Sequence, residues 1–341
     1  MSANATSFRQ RSPLVSVHKL KIKCPVCGHR DNCAWSDAGT YCRRVRSPHI
    51  GRDGGWWHPK DELVDNAKEC PALRVVTPPL PKPGVDKGVR DVVYRTLLHC
   101  LALSDAHFNN LSRRSLNREA IKRGRFKSTP TPEKADEVTA MIAPDADLSG
   151  IAGFYQEKGR WRMARVPAGF FIPVLDRHGL IQGLQIRRDE LRRERDSRYL
   201  WFSSSGYSRG TSSGAPAHVQ SPERIIASGK CMVTEGALKS FIAAEYMSHN
   251  EGGFVALAGV STFKDDFGHH LKEAFPGLHS VAIAFDRDWR EKREVKVQVH
   301  RLARVLRSAK FASVAIRTWD ATEKGIDDYL VAEAQEANDE R

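Results

Sequence analysis

From residue 222 onward, short unbroken apolar runs alternate with stretches of helical apolar spacing. Residues 231–234 and 281–285 are continuous apolar runs of strand length, the pattern of strands buried on both faces. Residues 236–247, 263–274, 294–310 and 327–337 have helical spacing. Strands alternating with helices predict a parallel sheet covered by helices over 222–337. Upstream the pattern differs. Residues 153–156 and 161–166 flank a Lys158-Gly159 turn, and 169–176 and 180–187 flank Arg177-His178-Gly179, predicting two hairpins. Residues 203–217 are rich in Ser and Gly and predict a loop. Residues 89–103 have helical spacing, while Ser104 and Asn117 stand where N-caps of two further helices belong. Together these predict a mixed helical and α+β block over 89–221.

The front of the chain lacks such patterning. Residues 1–18 are polar and predict a disordered arm. Residues 71–88 hold five prolines and predict a stiff linker. Between them, residues 19–70 are rich in Cys, Gly, Trp and His and too poor in aliphatic residues to fold on a hydrophobic core. Four of the seven cysteines, Cys24, Cys27, Cys33 and Cys42, fall within this segment. A Cys-x-x-Cys turn presents two thiolates to one tetrahedral zinc, and a second pair closes the site. Structural zinc contributes roughly 10–16 kcal/mol, enough to fold a core-poor segment. The expectation is a zinc ribbon, with Gly28 at positive φ after the first turn and His29, His49 or His58 as substitutes for one ligand. Cys70, Cys100 and Cys231 stand alone and read as small hydrophobes.

Charge sharpens this picture. The formal net charge is +13, and residues 1–130 carry 24 Lys and Arg against 11 Asp and Glu, so the whole excess lies in the front of the chain. A basic front on a neutral body predicts a polyanion partner, with single-stranded DNA the expected one. No apolar stretch approaches the ~20 residues of a membrane span, and the N-terminus lacks a signal-peptide pattern, so a cytoplasmic protein without a membrane partner is expected.

Three acidic signals end apolar runs in the last third: Glu235 in V-T-E-G, Asp286 and Asp288 in A-F-D-R-D, and Asp327 and Asp328 in G-I-D-D-Y-L. Parallel strands deliver functional residues at their carboxyl ends. Carboxylates gathered there repel, by about 4 kcal/mol for a pair ~4 Å apart at an effective dielectric near 20. A hard divalent cation, Mg²⁺ or Mn²⁺, relieves this, and Mg²⁺ is held by one or two carboxylates together with substrate phosphates. Glu235, Asp286 and Asp288 are its expected ligands. Gly236 permits close approach of a ligand to the backbone, with amide donors for phosphate. Taken singly, Glu235 and Asp327 would read as helix-start carboxylates and Asp286–Asp288 as a surface turn.

These stretches resemble a TOPRIM domain, the module shared by bacterial-type primases, topoisomerases and some nucleases. V-T-E-G-A-L-K-S, A-F-D-R-D and W-D-A-T-E-K-G-I-D-D-Y-L look most like zinc-ribbon TOPRIM proteins of phages, plasmids and integrating elements, related to bacterial-type DNA primases. Residues 170–187 and 198–201 resemble the subdomain preceding TOPRIM in primases. The resemblance implies an α/β fold with a Rossmann-like parallel TOPRIM sheet, a preceding α+β primase-core-like subdomain and an N-terminal zinc ribbon. It implies a nucleotidyltransferase of DNA replication acting on single-stranded DNA and nucleoside triphosphates, with a replicative helicase as partner. Arg187 would lie beside the template and nucleotide channel, and Arg188 and Lys230 would contact phosphates. Asp327 and Asp328 would hold a further ion or orient waters. A metal-dependent nuclease and a non-catalytic DNA-binding replication factor are the alternatives. Two departures stand out. Primases typically carry an acid four positions after the TOPRIM glutamate, where this chain has Lys239, and their ribbon includes a histidine ligand.

Overall fold

The computed structural model describes residues 14–45, 47, 49–50, 55–60, 85–191, 193, 196–207, 209–319 and 322–339. The chain forms two compact units, dividing between Pro83 and Gly84.

In the first unit five short strands, β1 (Val15–Ser16), β2 (Ala34–Ser36), β3 (Gly39–Cys42), β4 (His49–Ile50) and β5 (Trp56–Pro59), form an antiparallel sheet in the order β1-β2-β3-β5-β4. Its core is Val17 with Cys24, Cys33 and Cys42, against which Val26, Cys27 and Trp35 pack. The arm expected over 1–18 therefore ends earlier. Val15 and Ser16 pair with Trp35 and Ala34, and Val17 is fully buried, because the cysteine cluster offers an apolar surface that this segment covers. The expected prolyl linker falls outside the described residues up to position 84. Its last residues belong to a helix, because the Asp86 carboxylate accepts from the Gly88 and Val89 amides and starts the helix at Lys87.

The second unit opens with α1 (Lys87–His99), α2 (Asp105–Ser112) and α3 (Arg118–Arg123), the last two capped by Ser104 and Asn117 as their positions predict. The short strand β6 (Lys127–Ser128) leads to α4 (Pro132–Ile142), a helix that the apolar spacing does not reveal. Its signal is the capping Thr131 followed by Pro132 and Glu133. The two hairpins form as β7 (Phe154–Glu157) with β8 (Arg160–Met163), and β9 (Gly169–Leu175) with β10 (Ile181–Arg188). With β11 (Tyr199–Trp201) and β6 the second hairpin makes a four-stranded sheet in the order β11-β10-β9-β6.

The rest is a five-stranded sheet covered on both faces. It comprises β12 (His218–Gln220), α5 (Pro222–Ser228), β13 (Lys230–Glu235), α6 (Ala237–Tyr246), β14 (Gly253–Leu257), α7 (Phe267–Ala274), β15 (Ser280–Ile283), α8 (Arg293–Ser308), β16 (Ser313–Ile316) and α9 (Ile326–Asp339). The strand order is β12-β14-β13-β15-β16. β14, β13, β15 and β16 run parallel, but β12 is antiparallel to β14, so the sheet is mixed rather than wholly parallel. Alternation along β13 sends Cys231 and Val233 to the core that includes Leu271, Leu302 and Leu306, and Met232 to the core with Ala243, Ala244 and Leu330. The outer surface of α6 is also covered: Leu238, Phe241 and Ile242 pack with Phe170, Ile172 and Val174 of β9. One helix thus serves two sheets.

His218 joins the sheets at β12. Its Nδ1 accepts the Leu175 amide at 2.9 Å and its Nε2 lies 3.2 Å from Gln220 Oε1, which fixes a neutral ring with the proton on Nε2. Burial lowers its pKa from 6.5 to about 4. The unfolded chain binds this proton below pH 6.5 and the folded chain does not, so stability falls as pH drops from 6.5 toward 4. Urea titrations across this window should show about 3 kcal/mol more loss in the wild type than in His218→Gln, whose amide keeps both hydrogen bonds, at 1.36 kcal/mol per unit.

Candidate functional site

Two clusters of chemistry-bearing side chains stand out. In the first unit the four cysteines bring their Sγ atoms within 4.8 Å of one another, the only His, Cys, Asp and Glu group this close among the described residues. The Sγ–Sγ separations of 3.7 Å (Cys27–Cys33) and 4.0 Å (Cys33–Cys42) match the ~3.8 Å edge of a tetrahedron around zinc with Zn–S near 2.3 Å. Cys42 Sγ accepts the Arg44 and Val45 amides at 3.4 and 3.3 Å, as a thiolate would. Burial pushes the Cys24 thiol up to about 12. Burial opposes ionisation of Cys27 too, but the His29 amide and the neighbouring thiols outweigh it and bring Cys27 down to about 6. Gly28 has φ +72, as the turn requires. The histidine alternatives are not needed: His29 Nδ1 is 2.9 Å from Cys27 O and His58 Nε2 is 3.0 Å from Val45 O.

The second cluster lies at the carboxyl edge of the five-stranded sheet. β13 and β15 are parallel neighbours with Val233 opposite Ile283, so Glu235 and the segment after β15 emerge side by side. Asp286 starts a 3-10 turn, Arg287–Arg290, instead of continuing extended. It is this turn that turns Asp288 toward Asp286, and Lys324 Nζ stands 3.9 Å from Asp286 and 3.3 Å from Asp288. Asp327, at the start of α9, is 2% exposed and its Oδ1 has no hydrogen-bond partner. A Cβ on Gly325 would lie 2.4 Å from Asp327 Oδ1, 3.5 Å from Asp328 Oδ2 and 3.6 Å from Asp286 Oδ1, so the glycine leaves space into which three carboxylates reach. Acids from three distant segments therefore meet.

They do not meet alone, as the sequence reading had them. Lys239, one turn into α6, lies 3.8 Å from Glu235 and forms a short ion pair with Asp286. Lys292 pairs with Asp288 at 2.6 Å. Burial raises the Glu235 pKa, with Asp286 and Asp288 adding to it against the pull of Lys239. Asp327 is raised by burial and by Asp328. Asp288 is held low by Lys292 and Lys324 although burial opposes this. Burial disfavours a charged Lys239, but Asp286 and Glu235 more than compensate and keep it an ammonium.

The other expected contacts divide. Arg187 lies over the Phe170 ring, its Nε buried without a partner, and burial together with Arg114 lowers its pKa. Arg114 also acts on Asp327, so its positive charge stands between Arg187 and the acids; nothing in its helical setting marks it in the sequence. Arg188 is tied to Ser197 O at 3.2 Å and to Asp196 at 3.6 Å. Lys230 does not join the site. It begins β13 while Glu235 ends it, and five residues of strand separate them by roughly 16 Å. Gly236 cannot donate its own amide to phosphate, because it is committed to Leu257 O at 2.8 Å.

The Aquifex aeolicus primase, solved with its zinc-binding and RNA polymerase domains, superposes with a TM-score of 0.55 over 96% of this chain and 82% of that one, at 13% identity. The chain carries a bacterial primase fold. The RNA polymerase domain of Mycobacterium tuberculosis primase DnaG, in complex with a double-stranded DNA oligomer with a 6-nucleotide overhang, matches with a TM-score of 0.54 and 15% identity, covering 75% of this chain and 80% of that one. A DNA primase domain from Pseudomonas aeruginosa matches with a TM-score of 0.50 and 14% identity over 74% and 77%. A family described as a domain of unknown function, DUF3854, matches residues 226–337. No curated protein matches the sequence significantly. No described helix is long and apolar enough to cross a membrane.

On this primase-like chain the cysteine cluster is directly testable. Cys24→Ser, or dialysis against a strong chelator, should remove a single bound zinc measured by mass spectrometry and expose the first unit to protease, since its core is built on those thiols.

Proposed function

We propose that the protein is a DNA primase-like nucleotidyltransferase of DNA replication that works on single-stranded DNA, in the replication of a mobile element. The observation that carries this reading is the meeting of acids from three distant segments at one sheet edge, on a chain with a primase fold along nearly its whole length. The sheet order and its acids fit a TOPRIM module over 222–337, preceded by a primase-like block over 89–221 and a zinc ribbon.

The donor set suits a hard cation: carboxylate oxygens, with Asp327 Oδ1 buried and unpartnered beside the space left by Gly325. Asp286, Asp288, Asp327 and Asp328, with Glu235 at the margin, would hold Mg²⁺ or Mn²⁺, which when bound supplies positive charge to a triphosphate and to the charge developing in an in-line displacement. Lys292 and Lys324 are 54% and 61% exposed at the side chain and can swing to water at little cost. Arg187, with its unpartnered Nε, and Arg114 would bind phosphates of nucleotide or template. The basic residues Arg95, Lys122, Arg125 and Lys127 line one open hollow of the second unit and would track a DNA backbone. The exposed Lys19, Lys21 and Lys23 of the zinc unit extend the same chemistry.

The second reading, a DNA-binding replication factor without catalysis, is favoured by Lys239 seated on Asp286. The two part on one experiment, in which labelled nucleotides are offered on single-stranded templates with Mg²⁺ or Mn²⁺. Wild type should make short oligonucleotides, and Asp286→Ala/Asp288→Ala should lose at least ~100-fold in rate, on the scale of removing electrostatic stabilisation of a transition state. DNA binding should persist in the variant. Absence of product from wild type across templates and metals removes the polymerising reading, and DNA cleavage without nucleotides would replace it with hydrolysis.

A further inference from the structure

The three lysines around the acids are not equivalent. Lys292 and Lys324 are surface side chains. Lys239 has a side chain 25% exposed, is carried by a helix clamped between two sheets, and touches Glu235 and Asp286 at once. Its removal to water would leave two half-buried carboxylates, 26% and 15% exposed, without their partner. A divalent ion placed between Glu235 and Asp286 would share both ligands with an ammonium that has nowhere to go, and like charges at that range repel strongly. The opposite side of Asp286 is different. There Asp327 Oδ1 is buried and unpartnered, and Gly325 leaves space between it, Asp328 and Asp286.

We propose that Lys239 is a resident cation, taking the place of one divalent ion between Glu235 and Asp286 and leaving the pocket competent for a single ion on the Asp286–Asp327–Asp328 side. The proposal deepens the nucleotidyltransferase reading by stating how many ions its acidic pocket takes, and it rests on that reading only for the chemistry the ion would serve. Lys239 is a positioning residue: it fixes Asp286 and supplies one permanent positive charge that does not depend on metal concentration. The pairing is local in origin. Four residues along α6 put Lys239 on the same helix face as the carboxylate that precedes the helix, and the parallel register brings Asp286 to meet it.

The test is Mn²⁺ binding to the full chain without DNA or nucleotide, followed by electron paramagnetic resonance and calorimetry, after the cysteine site has been filled with zinc. Wild type should bind at most one Mn²⁺ at the acids. Lys239→Asp should bind one ion more, or bind at least tenfold more tightly, and the neutral Lys239→Gln should shift affinity in the same direction by a smaller factor. Lys292→Gln/Lys324→Gln should leave the number of ions unchanged. Thermal melts establish that each variant is folded; if Lys239→Asp is not, Lys239→Gln decides. Two Mn²⁺ ions on the wild type, or folded Lys239 variants with unchanged number and affinity, would overturn the proposal. Because no turnover is measured, an inactive protein whose Lys239→Asp variant gains an ion sinks the polymerising reading and keeps this one, whereas an active protein with two bound ions does the reverse.

Discussion

The register of two neighbouring strands underlies this structure. β13 and β15 run parallel with Cys231 opposite Val281 and Val233 opposite Ile283. That alignment, held by backbone hydrogen bonds and by apolar side chains buried on both faces, puts the end of one strand beside the end of the other. Glu235 and Asp286 are 51 positions apart in the sequence and share a lysine because of it. A slip of one residue would exchange the two faces of β13, sending Val233 to the side of Met232 and withdrawing Glu235 from the edge. The energy that fixes the acidic pocket is therefore mostly hydrophobic and lies beneath it. The ion pairs at the surface select among arrangements that the core already permits.

The chemistry above the sheet is a balance between burial and charge. Burial raises Glu235 and Asp327, lysines hold Asp288 low, and carboxylates keep Lys239 charged against its own burial. Such a site does not have to be neutralised wholly by metal. Its polarity is graded: the exposed Lys292 and Lys324 are loose, Lys239 is fixed, and Arg114 and Arg187 stand further toward the four-stranded sheet. Anionic substrate approaching from the arginine side would meet fixed positive charge before it meets the acids.

Much of this was legible in the sequence, for identifiable reasons. Ser104 and Asn117 marked helix starts because a side-chain oxygen at an N-cap satisfies free amides. The hairpins were marked by their turns, and the four cysteines by spacing that has few uses other than metal. The acids were found because apolar runs ending in carboxylates are rare in cores. What stayed hidden was whatever depends on partners far along the chain. The antiparallel β12 is three residues long, too short for periodicity to declare. Lys239 was visible as an unusual residue, but its seat on Asp286 requires the register of β13 and β15. Lys230 was misplaced because sequence proximity to Glu235 says nothing about which end of a strand a residue occupies. The alternation that seemed to align Asp286 with Asp288 was replaced by a 3-10 turn that reached the same result by another geometry.

The double duty of α6 bears on how such a chain can be divided. Ala243 and Ala244 face the sheet it follows, while Leu238, Phe241 and Ile242 are covered by β9 of the other. A fragment cut at the start of the five-stranded sheet would leave that second face wet and greasy, inviting self-association. Recombination that moves the acidic half between proteins must therefore carry the neighbouring hairpin with it or repaint the helix with polar residues.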